Sequence, residues 1–371
     1  MPRPPPPNRL PQPRLSEGPP RQPSSPPQSR PGPAAEVLPR ALALRQPLLQ
    51  GSATPCLRLI DGELPGVYLD RYGRHCVLQR YVDVQADDPA SVRLHLKEGA
   101  ALAELLSRVL APRLGTRSIW LKLRPRQANT VISAQAAGLT PSEPVWSAAD
   151  LGAEELAELK AGPLLTQENG LQLRVFLGHG LATGLYLDQR DNRQWVKEHA
   201  NGRRFLNAFC YTAAFSVAAA AGGAVKTVSI DAAAPALAEA RANLQLNGFA
   251  SEADHDLIRG DALAWLAKMA KRGDRFDAAV LDPPSYSTVK GKRWKADRDY
   301  PVLVAATAAV LDTGAWLIAC INASSATAAD LRQWVVQGCH AAGKPLANLE
   351  IRPAALDHPE QRMKAVVARL R

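Results

Sequence analysis

From residue 203 to the C-terminus, short apolar runs alternate with alanine-rich stretches of helical spacing. No other feature restricts the fold so strongly. The candidate strands are 204–210, 226–230, 256–259, 277–281 and 315–321, and the candidate helices are about 213–222, 233–246, 261–271 and 300–311. Strands alternating with helices build βαβ units, so an α/β fold with a parallel sheet covered on both faces is expected. The run Ala278–Leu281 suits a buried strand, and it breaks into Asp282-Pro283-Pro284-Ser285-Tyr286. Two consecutive prolines fix φ and withdraw two backbone donors, so the strand must stop there. Asp282 then stands at the C-terminal edge of the sheet, where open α/β sheets bind ligands. An acid, a rigid turn and Tyr286 would clamp a planar base. Alternatively they are a strand end and a proline turn with Tyr286 as packing.

Three carboxylates recur at such strand ends: Asp231, Asp261 and Asp282. In nucleotide-binding α/β folds an acid after the second strand accepts hydrogen bonds from ribose hydroxyls, which suits Asp231. Asp261 equally suits a helix N-cap. The first loop, Asn207 to Phe215, has no Gly-x-Gly-x-x-Gly, which argues against a pyrophosphate cradled on a helix N-terminus. A nucleoside cofactor without pyrophosphate fits better, and S-adenosylmethionine is the obvious one.

Upstream, residues 1–50 form a Pro/Arg-rich arm too poor in large apolar residues to offset ordering entropy, and disorder is expected. It is either an RNA tether or an inert tail. Residues 51–165 are expected to be a small α+β RNA-binding domain, with a hairpin around Tyr72-Gly73, a helix from Ser91 broken at Pro112, and a strand at Ser118–Leu123. Lys122, Arg124 and Arg126 would meet phosphate or simply be solvated. Residues 166–371 make the cofactor-binding domain, closed by an edge hairpin at Lys364–Leu370. The net charge of +10 and a pI near 9.6 suit a polyanionic partner. Five widely spaced cysteines without a Cys-x-x-Cys point to reduced thiols in a cytoplasmic protein, with no zinc site. No apolar run approaches the ~20 residues of a membrane span.

Further motifs carry a resemblance. They are Leu64-Pro65-Gly66 with Asp70-Arg71-Tyr72-Gly73, Thr183-Gly184-Leu185-Tyr186-Leu187-Asp188-Gln189-Arg190-Asp191-Asn192-Arg193, Leu206-Asn207 with Tyr211-Thr212, Asn243 with Asn247-Gly248, the Asp282–Tyr286 stretch, and Asp357-His358-Pro359. From about residue 57 onward the chain resembles the class I S-adenosylmethionine-dependent methyltransferases that modify bases of large-subunit ribosomal RNA, the cytosine-5 and 7-methylguanine enzymes. The resemblance implies a Rossmann-like sheet, S-adenosylmethionine as cofactor and ribosomal RNA as partner. It places Asp188, Gln189 and Arg190 along the methionine side and Asn207, Tyr211 and Thr212 beneath the cofactor. Asp231 falls at the ribose, and Asp261 and Ala262 beside the adenine. Asp282, Pro283, Pro284 and Tyr286 would present the target base. The segment Lys290–Arg298, with basic residues around Trp294, would help hold single-stranded RNA.

Three departures matter. Ala213 and Ala214 stand where the family has glycine, so a methyl crowds the cofactor unless φ there is negative. Ala182 replaces a lysine. Near the fifth strand, where the cytosine-5 enzymes carry a nucleophilic cysteine, the chain reads Cys320-Ile321-Asn322-Ala323. Cys320 reads as a strand residue, which directs the expectation toward a ring-nitrogen or exocyclic-amine target, since only C5 chemistry needs a covalent step. The alternative is a catalytically decayed RNA-binding protein of the same fold.

Overall fold

The computed structural model describes residues 34–51, 56–83, 88–125, 138–284, 288–289, 292–293 and 295–371. Helices α1 (Ala34–Leu44) and α2 (Gln46–Gly51) lead into a five-stranded sheet. Its strands are β1 (Cys56–Leu64), β2 (Val67–Tyr72), β3 (His75–Val82), β4 (Ser118–Pro125) and β5 (Trp146–Ser147), in that order, with α3 (Pro89–Leu114) crossing from β3 to β4. Only the β3–β4 pair is parallel, as a helical crossover requires. Leu69, Leu78 and Leu121 face an apolar core that includes Leu38, Leu42 and Leu106. Tyr68, Asp70, Gln79, Tyr81 and Arg124 alternate with those leucines and line a cavity.

This changes the expected arm. From Ala34 the chain is helical, with Leu38 and Ala41 fully buried. Arg45, within the 1–50 stretch expected to be disordered, is also fully buried. Its guanidinium donates to Arg58 O at 2.7 Å and Ala41 O at 3.0 Å, and pairs with Glu63 at 2.5 Å. A helix with apolar residues at i, i+3 and i+4 can bury enough surface to order itself. Residues 1–33 lie outside the described residues. Pro112 sits in the last turn of α3 without breaking it, and the helix ends at Gly115 in the left-handed conformation.

Next come α4 (Ala153–Ala161) and a hairpin of β6 (Leu164–Glu168) and β7 (Leu171–Val175). The expected boundary at 165/166 therefore cuts a strand. The hairpin is tied to the second half of the chain, since Asn243 Oδ1 and Asn247 Oδ1 accept from Arg174 N and Gln172 N. Helix α5 (Arg190–His199) leads to a seven-stranded sheet. In chain order its elements are β8 (Arg204–Ala208), α6 (Ala214–Ala221), β9 (Lys226–Asp231), α7 (Ala234–Leu246), β10 (His255–Arg259), α8 (Ala262–Arg272) and β11 (Phe276–Leu281). A short pair, β12 (Thr288–Val289) and β13 (Lys292–Arg293), lies outside that sheet. Then follow α9 (Ala296–Ala308), β14 (Leu311–Ile321), α10 (Ala328–Ala341), β15 (Leu346–Ile351) and β16 (Lys364–Leu370).

Strand order is β10-β9-β8-β11-β14-β16-β15. The first five strands are parallel and the last two antiparallel. All five expected strands and four expected helices exist, shifted by a few residues at their ends. β11 is central and wholly apolar in its last four residues, as a strand covered on both faces must be. Because β8 to β11 run parallel, the loops bearing Tyr211, Asp231, Asp261 and Asp282 all emerge at one edge. Among the described residues no helix is long and apolar enough to cross a membrane.

Candidate active site

The loop between β8 and α6 is the most strained segment at that edge. Phe209, Tyr211 and Ala213 have φ of 64°, 49° and 59°. Each non-glycine residue in the left-handed region costs about 1–2 kcal/mol, so the surroundings must over-determine it. They do. Asp231 Oδ2 accepts from Tyr211 N at 2.9 Å, and Cys210 N donates to Ile230 O at 3.0 Å. Thr212 Oγ1 donates to Gly184 O at 2.7 Å, and Asn243 Nδ2 donates to Thr212 O at 3.0 Å. Tolerance of Ala213 through a negative φ is thus not what occurs. Its methyl is instead buried against Cys210, Leu237 and Ala240, while Ala214 lines the cavity beside the loop.

That cavity is bounded by Gly184, Gln189, Tyr211, Thr212, Phe215 and Asp282. Gln189 Nε2 donates to Asp282 Oδ2 at 2.9 Å, and Asn192 Nδ2 donates to Gln189 Oε1 at 2.7 Å. The polar residues before α5 thereby reach the strand end that carries Asp282. Burial and then the nearby Asp188 carboxylate push Asp282 up to about 7. Its hydrogen bond from the neutral amide of Gln189 only partly offsets this. Such a carboxylate is stabilised by a positive ligand. S-adenosylmethionine carries a sulfonium and an ammonium, so the residues present fit it.

The other expected site residues are distributed unevenly. Asp231 also accepts from Ala233 N at 2.8 Å, so both its oxygens hold backbone. Asp261 is exposed and caps α8 by accepting from Ala264 N at 2.8 Å, next to the buried Ala262. Asn207 is buried, its amide donating to Ser216 Oγ at 2.8 Å, and it does not line the cavity. Arg190 is turned away as well, making a buried bidentate pair with Asp357 at 2.8 and 2.9 Å. Burial alone would raise Asp357, but His358 and Arg190 hold it well below the usual carboxylate range. Pro283 is buried and Pro284 exposed, while Tyr286 lies outside the described residues, as do Lys290 and Trp294. Lys295 to Arg298 begin α9 instead of a loop. Cys320 is fully buried in β14, with Sγ 3.8 Å from Gln189 Oε1, and burial raises it far above an ordinary thiol. Lys122 is neither solvated nor poised for phosphate. It is buried with Nζ 3.3 Å from His179 O and 3.4 Å from Phe176 O, and burial, then the Arg124 charge, push it down to about 7. Arg126 lies outside the described residues.

A second cavity, of about 150 Å³, lies between the five-stranded sheet and the second half of the chain. Tyr68, Tyr81 and Tyr186 line it with Arg124, Arg352 and Asp188. Leu185 and Tyr186 border both cavities. This wall was not expected from the sequence. Its signal was period-two polarity on β2, β3 and β4, where polar residues alternate with leucines yet stay buried.

A family model described as S-adenosylmethionine-dependent methyltransferase matches residues 151–341. Ribosomal RNA large subunit methyltransferase I of Escherichia coli is 31% identical over 326 residues, covering 87% of this chain and 74% of that protein. The enzyme of the same name from Aeromonas hydrophila is 34% identical over 203 residues, 54% of this chain and 51% of its own length. Ribosomal RNA large subunit methyltransferase K/L of Allochromatium vinosum is 34% identical over 303 residues, 79% of this chain and 37% of its own. With several of these relatives the match spans about half of their length or less. In fold, a methyltransferase crystallised with SAH superposes with a TM-score of 0.71 at 24% identity, covering 91% of this chain and 80% of that one. A SAM-dependent methyltransferase from Agrobacterium tumefaciens gives 0.56 at 18%, covering 86% and 90%.

Proposed function

The chain belongs to the S-adenosylmethionine-dependent methyltransferase family that includes the ribosomal RNA large-subunit enzymes, and from that membership we propose that it methylates a base of ribosomal RNA. The observation that carries the reading is the meeting of Gln189, Tyr211, Thr212 and Asp282 around one cavity at the C-terminal edge of the parallel sheet. The similarity to the Escherichia coli relative over most of its length supports ribosomal RNA as substrate, and so does the charge of +10. Five unpaired, buried cysteines suit a reducing, cytoplasmic location.

Held by these residues, with Asp231 toward the ribose, S-adenosylmethionine would supply an electrophilic methyl group. What the chain itself contributes is position. Asn192 fixes Gln189, and Gln189 fixes the Asp282 carboxylate, so the negative charge at the end of β11 has one place. Pro283 and Pro284 stiffen the turn that follows. Methyl transfer is an in-line displacement, and alignment of this kind supplies most of its acceleration. Thr212 and Asn243 clamp the opposite wall.

The test is transfer of a labelled methyl group to ribosomal RNA from a strain lacking the gene. Folded Asp282→Ala protein should lose at least about 100-fold in kcat/KM, since a positioned charge is removed from a buried site. Wild-type rates in that variant would refute the assignment. Calorimetry showing no S-adenosylmethionine binding at millimolar concentration would favour a decayed enzyme instead.

A further inference from the structure

A more open groove adjoins the cavity between the sheets. Its volume is about 390 Å³, against about 150 Å³ for that cavity. Arg352, Pro353, Ala354, Gln361 and Met363 line both, so the two adjoin along the segment 352–363 that joins β15 to β16. The groove alone is lined by Ala328, the first residue of α10, and by Ile351 and Lys364 at the ends of the two strands.

The charge of the groove has one sign. Arg352 and Lys364 are among its lining residues, and those residues include no carboxylate. Both cations are half-buried and rest on neutral partners. Arg352 donates to Asn192 Oδ1 at 3.3 Å and Asp191 O at 3.5 Å, and Lys364 donates to Ala323 O at 2.9 Å. Neighbouring charges are already matched. Arg58 pairs with Asp61 and Asp70, Arg362 with Glu360, and Asp330 on the first turn of α10 accepts from Thr327. A cation drawn partly out of water without a counter-charge is costly, and an anionic ligand removes that cost. Burial, then the Arg362 charge, lower Lys364 from an ordinary lysine, which an anion beside it would reverse. The series continues inward, where Arg124 lines the first cavity and donates to the neutral Gln79 Oε1 and Leu181 O.

Beside the two cations the groove presents apolar surface. Ile351 is 50% exposed, and Pro353 and Ala354 are exposed next to it. Gln361, also exposed, stands where the groove meets the cavity, with φ of 50° and its N–H donating to His358 O at 3.1 Å. Left-handed residues other than glycine persist at ligand clamps, held by their surroundings. Cations in series with apolar faces between them suit a single nucleic-acid strand, whose phosphates and bases alternate in the same way.

Resting on the reading above, we propose that this groove holds the nucleotide adjoining the methylated one in a single RNA strand, its phosphate at Arg352 and Lys364 and its base against Ile351 and Pro353. A base drawn out of its stack carries its backbone with it, so the phosphates beside it need charge close to the entrance. A duplex does not meet this demand, because its bases stay paired and stacked. An acidic peptide would match the cations and leave the apolar face unused.

The experiment is fluorescence anisotropy of a labelled single-stranded RNA decamer of mixed sequence, with S-adenosylhomocysteine present, between about 50 and 200 mM salt. Wild-type protein should bind the decamer more tightly than a duplex of the same sequence. Lys364→Gln removes one phosphate contact and should flatten the slope of log K against log salt by about 0.7. Ala328→Trp fills the groove without touching the cavity and should weaken binding at least about tenfold. Both variants should raise KM for ribosomal RNA, with kcat and S-adenosylhomocysteine affinity unchanged. Unchanged slope and affinity in both variants would overturn the proposal. So would a wild-type protein that ignores the decamer, prefers the duplex, or releases the decamer equally well to a poly-glutamate peptide. Wild-type protein that binds the decamer through these residues yet methylates no RNA would defeat the reading of the activity and leave the groove as an RNA site. Should either variant fail to fold, Arg352→Gln replaces it with the same readouts.

Discussion

Asp282 makes the cofactor-free protein sensitive to pH in a direction that can be worked out. Its carboxyl is pushed from the ordinary 3.8 up to about 7. A displacement of that size corresponds to about 4 kcal/mol, and water at the half-buried carboxylate reduces it to about 1–3 kcal/mol. A raised acid favours the folded state at low pH. The contribution is whole below about pH 4 and is lost as pH rises through about 7, because the unfolded chain gives up its proton first. Asp282→Asn removes the titration and keeps the hydrogen-bonding volume. Urea unfolding at pH 5 and pH 8, at constant ionic strength, measures both proteins. About two thirds of the span from 3.8 to about 7 lies above pH 5, so the variant should gain about 0.5–2 kcal/mol on the wild type between the two pH values. A difference that stays constant over that range would show that Asp282 is not desolvated, and the electrostatic case for a cation in this cavity would fall with it. Binding of S-adenosylmethionine should release a proton at Asp282, so its affinity should rise from pH 5 to pH 7 in the wild type and not in the variant.

Other perturbations read other parts of the frame. Asp357→Asn strips the buried Arg190 of its counter-charge and should cost about 3–5 kcal/mol, seen as a lower urea midpoint; a change under 1 kcal/mol would show the pair to be screened. Ala213→Gly relieves a left-handed residue worth about 1–2 kcal/mol while losing one buried methyl worth about 0.8 kcal/mol, so stability should stay within about 1 kcal/mol of wild type. Ala219→Gly, inside α6 with normal geometry, should cost about 1–2 kcal/mol in the same assay. Lys122→Met should stabilise by about 1–4 kcal/mol at pH 6, because a buried ammonium pushed down to about 7 is strained below that pH; the gain should shrink toward pH 10 as the unfolded lysine also loses its proton.

The parallel sheet was legible because its signals are local. Ala278–Leu281 is apolar on both faces, and the Pro283-Pro284 step ends it, so strand, position and exposed edge could all be read from the nine residues 278–286. Asp261 as a cap was legible for the same reason. Arg190 was not. Its role is set by Asp357, 167 positions away, and spacing along the chain carries no trace of that pairing. Lys122 and Arg45 misled because charge usually signals solvent, yet both are enclosed by backbone carbonyls supplied from distant segments. The helix at Ala34–Leu44 was masked by a proline-rich neighbourhood, although Leu38, Ala41 and Leu42 lie on one face.

Asp357 explains how the two sheets keep a fixed relation. Its backbone carbonyl accepts from Arg45 at 3.2 Å, one carboxylate oxygen accepts from Arg58 N at 2.9 Å, and both oxygens take Arg190. One buried residue thus joins the segment after α1, the first strand of the small sheet and the helix that follows Gln189. An apolar cluster of equal volume would hold these parts together as strongly or more so, since burying charge costs desolvation. It would not fix their angle. Bidentate pairing does, because two parallel N–H···O bonds permit one orientation. The cavity between the sheets shares Leu185 and Tyr186 with the cavity at Asp282, so a rotation of the small sheet would shift one cavity relative to the other. In-line transfer tolerates displacements well under 1 Å. A charged hinge point that costs stability and sets direction is therefore what a reaction governed by alignment demands, and the loss on breaking it should appear in kcat before it appears in cofactor affinity.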